Sequence, residues 1–178
     1  MIKTVAVFCG SQLPKDPCHA TSATLLGHKL AYTGRTLVYG GSNLGLMGLV
    51  SSAAMERGGE VVAVIPSHFS EAVINSQKVT RLERVASMAE RKRRIMQQSD
   101  AFVALAGGIG TIDEVSEVMV ANQLGLMDKP LIILNEHGYY DHWLQWLDMA
   151  KAEGMMRGDC GLAVADSVTH VMMLLAMQ

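Results

Sequence analysis

Short runs of β-branched and apolar residues alternate along this chain with longer stretches whose apolar positions recur at helical spacing. "TVAVFC" (4–9), "TLVYG" (36–40), "EVVAVIP" (60–66), "AFVALA" (101–106) and "PLIILN" (130–135) read as strands. Helices are expected from about Asp16 to Tyr32 and over "GLMGLVSSAAMERG", "SMAERKRRIMQQ", "TIDEVSEVMVANQLG" and "YYDHWLQWLDMAKAEG". A short "LAVAD" and a final helix close the pattern, and a polar loop follows Pro66. The strands are nearly continuous apolar runs, which marks strands buried on both faces of a parallel sheet. Strand–helix alternation then predicts a doubly wound α/β sandwich. Ligands of such sheets sit beyond the carboxyl ends of the strands. The turns "CGSQ", "YGGSNLG" and "LAGGIGTIDE" are therefore expected on one rim.

Two of those turns, "YGGSNLGLMG" (39–48) and "AGGIGT" (106–111), follow a strand and open a helix. Glycine lets the backbone turn sharply and bring its N–H groups close to a ligand. A helix N-terminus adds unpaired donors and partial positive charge. Gly41 and Ser42 in one turn, and Gly107, Gly108, Ile109, Gly110 and Thr111 in the other, are candidate phosphate contacts. The alternative is that these glycines only make tight turns. No G-x-x-x-x-G-K-[ST] occurs, and the first turn is not G-x-G-x-x-G, which argues against a P-loop and a standard nicotinamide site.

Acids follow the second cradle at once. Thr111 and Glu114 form T-x-x-E, the spacing of a capping box. Glu117 shares a helix face with Glu114, and Asp113 is expected to point elsewhere, into solvent. The functional alternative is a carboxylate that contacts a ribose hydroxyl, activates a water, or stabilises positive charge at a sugar carbon during glycosidic cleavage. "MAERKRR" (88–94) is the densest charge in the chain. With Val85, Met88, Ile95 and Met96 as one helical face, Lys92 falls near its middle and Arg91 on its edge. An inward cation needs an anion, either a phosphate or Glu114 and Glu117, unless its stem merely lies along apolar surface.

Composition narrows the partners. The 178 residues suit one domain, over 1–178, with its own core; 49% are hydrophobic and 18% charged. A net charge of −2 with no basic block argues against a nucleic-acid binder. Three cysteines without a C-x-x-C pair read as free thiols in a reducing compartment, and no run is long enough to span a membrane, so the cytoplasm is expected. The six histidines show no metal-ligand spacing, so no metal site is expected. Trp143 and Trp146 are expected to anchor packing from one helix face.

The segments "CGS", "YGGSNLGLMG", "VIP", "MAERKRR", "DAFVALAGGIGTIDEVSEV", "QLGLMDKPLIILN" and "GYYD" occur in the order and spacing of the LOG (Lonely Guy) family, which the chain resembles from about residue 3 to 155. Its members are cytokinin riboside 5′-monophosphate phosphoribohydrolases, also described as possible lysine decarboxylases. The resemblance implies a Rossmann-like fold, no cofactor, and a homodimer or higher homo-oligomer with sites near the subunit interface. It implies hydrolysis of the N-glycosidic bond of a nucleoside 5′-monophosphate to free base and ribose 5-phosphate. By position, Arg91 and Glu114 would be catalytic, while Lys92, the Gly107–Thr111 loop, Glu117 and Glu71 would bind substrate. A decarboxylase would need a pyridoxal site, for which the sequence makes no case.

The chain departs from the family signatures M-H-x-R-K and P-G-G-x-G-T-x-x-E at Ala89 and Ala106, and also at Ser42 and in "MVANQ" (119–123). Losing proline at 106 is expected to loosen the loop modestly. The departures make AMP or another purine nucleotide a candidate substrate beside the cytokinin precursors. The rival from another class is a nucleotide or cofactor carrier on the same scaffold without turnover.

Overall fold

The fold is seen in a computed structural model, which describes residues 2–70, 72, 74, 79–156, 158 and 160–177. The strands are β1 (Thr4–Phe8), β2 (Thr36–Tyr39), β3 (Val61–Pro66), β4 (Arg81–Val85), β5 (Ala101–Ala104), β6 (Leu131–Leu134) and β7 (Leu162–Ala165). The helices are α1 (Pro17–Tyr32), α2 (Gly45–Glu56), α3 (Met88–Gln98), α4 (Ile109–Gln123), α5 (Asp141–Ala152) and α6 (Val168–Ala176). All strands pair in parallel in one sheet, in the order β4-β3-β2-β1-β5-β6-β7. This is the doubly wound, Rossmann-like arrangement expected from the alternating pattern.

Successive residues of a strand point to opposite faces, and both faces are covered. Val5, Val7, Leu37, Tyr39, Ala63 and Val103 join a core under α1, α2 and α6. Ala6, Phe8, Val38, Val62, Phe102 and Ile133 join a second core under α3, α4 and α5. That explains why these strands carry no polar face. Each buried Val, Leu or Ile contributes about 1.5–3 kcal/mol relative to an exposed one.

Strand β4 corrects the reading of its segment as loop. It pairs with β3 alone and forms the sheet edge. Its charges guard that edge: Glu83 accepts from Arg81 Nε at 3.1 Å and from Arg94 Nε at 2.8 Å. "RLERV" therefore lacks the apolar run that marks a central strand.

The strand order reverses between β1 and β5, so the helices after these two strands leave toward opposite faces and open a crevice at their carboxyl ends. Helix α1 starts under an Asp16 cap, whose side chain accepts from Cys18 N at 2.9 Å, with Pro17 at the first helical position. Helix α4 starts on the other side of the crevice.

Candidate active site

The loop from β5 into α4 forms one wall. Helix α4 begins at Ile109, two residues before the expected start, and its N-cap Gly108 supplies no side-chain cap. Amides in a first helical turn have no carbonyl one turn back. Thr111 N and Ile112 N each donate to Gly108 O at 3.1 Å, so the available donors lie at Gly108 to Gly110 and not at Thr111. Thr111 instead packs under Gly107, where a Cβ would fall on its Oγ1. Three further bonds pin the loop: Tyr139 Oη to Gly107 O at 2.8 Å, Tyr140 Oη to Leu105 O at 2.6 Å, and Gly10 N to Ala106 O at 3.0 Å. The last of these holds the position where the family signature has proline.

The other glycine turn is built differently. At the start of α2, Leu46 N and Met47 N both donate to Gly10 O, at 3.0 and 3.3 Å. These two amides are committed to the β1–α1 turn and are not free to meet a ligand. Gly41 is buried at φ 82° against Ile65. Ser42 Oγ accepts from Leu44 N at 3.2 Å.

A side-chain cap lies elsewhere than expected, in a variant of the capping box whose return bond reaches one residue before the cap. On α3, Ser87 Oγ accepts from Glu90 N at 3.1 Å and Glu90 Oε2 accepts from Ala86 N at 2.8 Å. Glu114 is the sixth residue of α4 and caps nothing. Its side chain is buried against Arg91, with Oε1 3.7 Å from Nη2. Both residues are only 7% exposed.

Burial pushes the Glu114 carboxyl up from 4.5 to about 7; the Arg91 charge pulls the other way and does not win. A buried carboxylate loses more hydration than an ion pair at 3.7 Å returns. Arg91 reaches this position because residue 40 is glycine: a Cβ there would fall on Arg91 Nη2.

Arg91, not Lys92, is thus the inward cation. Val85 belongs to β4, so the buried positions of α3 are Arg91 and Ile95, four apart. Lys92 meets Asp113 Oδ2 at 2.9 Å and Glu117 Oε2 at 2.8 Å. The Glu117 hydrogen bond, then that of Asp113, raises the Lys92 ammonium above its ordinary value. Asp113 is exposed, as expected, and is also a partner in this bridge between α3 and α4.

A cavity of about 460 Å³ opens over the cradle, within the roughly 300–1,000 Å³ common for small-molecule sites. Gly107 to Thr111, Asp113, Glu114, Arg91 and Tyr139 line one part of it, and Cys9, Leu13, Leu46, Met47 and Met88 form an apolar part. The structure therefore brings together Arg91, Glu114 and the loop Gly107, Gly108, Ile109, Gly110 and Thr111. Lys92, Glu117, Gly41 and Ser42 are not among its described lining residues, and Glu71 lies outside the described residues.

Sequence reasoning missed Gly40, Tyr139 and the apolar wall. The tyrosine pair after β6 and the first glycine of "YGGS" were the available signals. Trp146 is 53% exposed rather than a packing anchor, whereas Trp143 packs on the second core.

The sheet order and the cavity define a doubly wound α/β protein with a helix start of unpaired amides beside a buried acid–guanidinium pair. The fold is shared with the molybdenum cofactor binding protein from Rippkaea orientalis, at TM-score 0.74 and 22% identity, covering 99% of this chain and 97% of that one. A Moco carrier protein from Chlamydomonas reinhardtii superposes at TM-score 0.75 with 21% identity over 99% and 97% of the two chains.

The sequence is closer to another group. It is 43% identical over 155 residues to the cytokinin riboside 5′-monophosphate phosphoribohydrolase LOG5 of Arabidopsis thaliana, covering 87% of this chain and 68% of that protein. It is 38% identical over 167 residues to LOG of Oryza sativa subsp. japonica, covering 94% and 69%. A family model described as "Possible lysine decarboxylase" matches residues 47–174. The chain belongs to this LOG family.

Proposed function

We propose that this protein is a nucleoside 5′-monophosphate phosphoribohydrolase. It cleaves the N-glycosidic bond of AMP or a cytokinin riboside 5′-monophosphate to free base and ribose 5-phosphate. One observation carries the reading: a buried carboxyl raised to about 7, Glu114, sits on the same helix as the donor-lined N-terminus of Gly108 to Gly110. Glu114 lies four helical rises beyond Gly110, about 6 Å along the axis, comparable with the span from a 5′-phosphate to the sugar's anomeric carbon. The names of the relatives in Arabidopsis thaliana and Oryza sativa support the same reaction class.

In this mechanism the amides of Gly108 to Gly110 hold the 5′-phosphate. The base lies against Leu13, Leu46, Met47 and Met88, which line the cavity. As the glycosidic bond lengthens, positive charge develops on the sugar ring, and the ionised Glu114 carboxylate stabilises it and orients the attacking water. A carboxyl poised near 7 can take up that water's proton at neutral pH. Arg91 keeps enough of Glu114 ionised and meets negative charge on the departing base, which leaves as the neutral species once the proton taken from water has passed to its nitrogen. The Lys92–Asp113–Glu117 bridge fixes α3 to α4 and so holds the pair in register.

A decarboxylase using pyridoxal needs a lysine to hold that group as a Schiff base. No lysine is among the described lining residues, and Lys92 is committed to two carboxylates. The residues present do not fit that group.

We further propose a single domain over 1–178, a cytoplasmic location and a homodimer. Three cysteines without a disulfide suit the cytoplasm. Among the described residues no helix is long and apolar enough to cross a membrane. Exposed Ile109, Val120, Leu124 and Leu126 on and after α4 supply apolar surface for a second copy.

The test is to incubate the purified protein with AMP and with a cytokinin riboside 5′-monophosphate and to quantify free base and ribose 5-phosphate. Release of both that falls at least about a hundredfold in Glu114→Gln and in Arg91→Ala supports the hydrolase. Tight nucleotide binding without release would instead indicate a carrier.

A further inference from the structure

A second group of side chains lies at the start of α1, apart from the acid–guanidinium pair. Asp16, Cys18 and His19 each offer one ligand atom, and these atoms lie within 4.8 Å of one another. His137, from the turn after β6, stands outside this close trio but beside two of its members. His137 Nδ1 is 3.4 Å from Cys18 Sγ and 2.9 Å from Asp16 Oδ2. Chain spacing concealed this group, because Cys18 and His137 are 119 positions apart.

The arrangement is convergent. In a nucleophile–base–acid relay the imidazole uses its two nitrogens, one toward the thiol and one toward the acid. Here thiol and carboxylate meet the same nitrogen, Nδ1. A relay is thereby disfavoured, and a shared central atom is favoured. A tetrahedral zinc ion with N or O ligands at about 2.0–2.1 Å and S at about 2.3 Å separates its ligand atoms by roughly 3.3–3.6 Å. The 2.9 and 3.4 Å of His137 lie near that range, whereas the Asp16, Cys18 and His19 atoms are bounded at 4.8 Å and must close up on the ion.

The surroundings also suit a fixed site. Asp16 uses Oδ1 to cap α1 through Cys18 N at 2.9 Å, which leaves Oδ2 for the cluster. Glu136, next to His137, accepts from Ser22 Oγ at 2.7 Å, tying the turn to α1. His137 holds the left-handed backbone conformation, φ 54°, where it presents its ring to Asp16. His19 is buried, with its ring edge-on to Tyr139 at 5.1 Å. The positive end of the α1 dipole favours the Asp16 carboxylate, while burial, then the Asp16 hydrogen bond, raises the Cys18 thiol to about 11, so the thiol gives up its proton only to an incoming ion.

We propose that Asp16, Cys18, His19 and His137 form a binding site for one zinc ion that ties the start of α1 to the turn after β6. The donor set, sulfur and imidazole with one carboxylate, selects zinc over magnesium or calcium. Through His19 and Tyr139, whose hydroxyl holds Gly107, the ion braces the cradle from outside the cavity.

The experiment uses tag-free, chelator-stripped protein, full chain, titrated with Co²⁺ and read by absorption, then with Zn²⁺ against a chromophoric chelator. The expected result is a thiolate-to-cobalt charge-transfer band saturating at one ion per chain and displaced by Zn²⁺. Cys160→Ser keeps the band and Cys18→Ser loses it. His137→Ala weakens Zn²⁺ affinity at least about tenfold, since even changes around a ligand cost roughly 10–100-fold. Far-UV circular dichroism shows that each variant is folded. No saturable band, a band undiminished in folded Cys18→Ser, or preference for Mg²⁺ over Zn²⁺ would overturn the proposal. None of these readouts depends on nucleotide hydrolysis.

Discussion

Replacing Glu114 by Gln should change how stability depends on pH, and the size of the effect follows from the site. The carboxyl rises from 4.5 to about 7 on folding, with burial as the first cause. Between those two values the unfolded chain has released the proton and the folded chain retains it. Stability then falls as pH rises, because the native state binds more protons. The contribution is fully present below 4.5 and lost above about 7. At about 1.4 kcal/mol per tenfold change, the loss is about 3 kcal/mol. Gln has the same shape and no titration, so the variant lacks this slope.

Urea unfolding of both proteins at one fixed protein concentration, from pH 4 to pH 8.5, measures it. The wild-type minus Glu114→Gln stability should decline by about 3 kcal/mol across that range, most steeply between 4.5 and 7. Other titrating groups are common to both proteins and cancel in the difference. A flat difference, or one that grows with pH, would mean that Arg91 outweighs burial and that Glu114 is an ordinary ionised carboxylate. The premise of a poised acid would then be wrong.

Other outcomes follow from the same geometry. The rate constant kcat/KM should fall about tenfold per pH unit below about 7, as the free protein's Glu114 becomes protonated; a profile level down to pH 5 contradicts this. Gly40→Ala places a methyl group on Arg91 Nη2 and swings the guanidinium aside. It should lower kcat/KM at least about tenfold and move the pH inflection upward, since Arg91 holds the Glu114 value down; wild-type activity with an unmoved inflection argues against it. Tyr139→Phe removes the 2.8 Å bond to Gly107 O. One hydrogen bond is worth about 0.5–1.5 kcal/mol, so KM should rise about three- to tenfold with kcat little changed; a fall in kcat alone would place Tyr139 in the chemistry instead.

The sheet was readable wherever both faces are buried. The runs behind β1, β2, β3, β5 and β6 are apolar because helices cover them on each side. Strand β4 was hidden because an edge strand is specified by pairing and charge, not by an apolar run. That omission misled the next element. With Val85 counted as helical, the inward face of α3 turned toward Lys92, whereas Arg91 and Ile95 are the buried pair. The T-x-x-E spacing resembled a cap, but Gly108 starts the helix earlier and puts Glu114 in its second turn. The loop Gly107–Thr111 was legible from glycine chemistry. Gly40 beneath Arg91 was not, because it reflects a contact between distant parts of the chain. Likewise, nothing local in the sequence shows that Leu46 N and Met47 N are taken by Gly10 O.

In the proposed complex a nucleotide rests its phosphate on the start of α4 and its sugar against Glu114. The structure of Glu114→Gln crystallised with AMP shows whether it does so. Phosphate oxygens are expected within hydrogen-bond distance of the amides of Gly108 to Gly110, with the substituted carboxamide facing the ribose. A phosphate held at the start of α2, or a ribose turned away from that side chain, would contradict it.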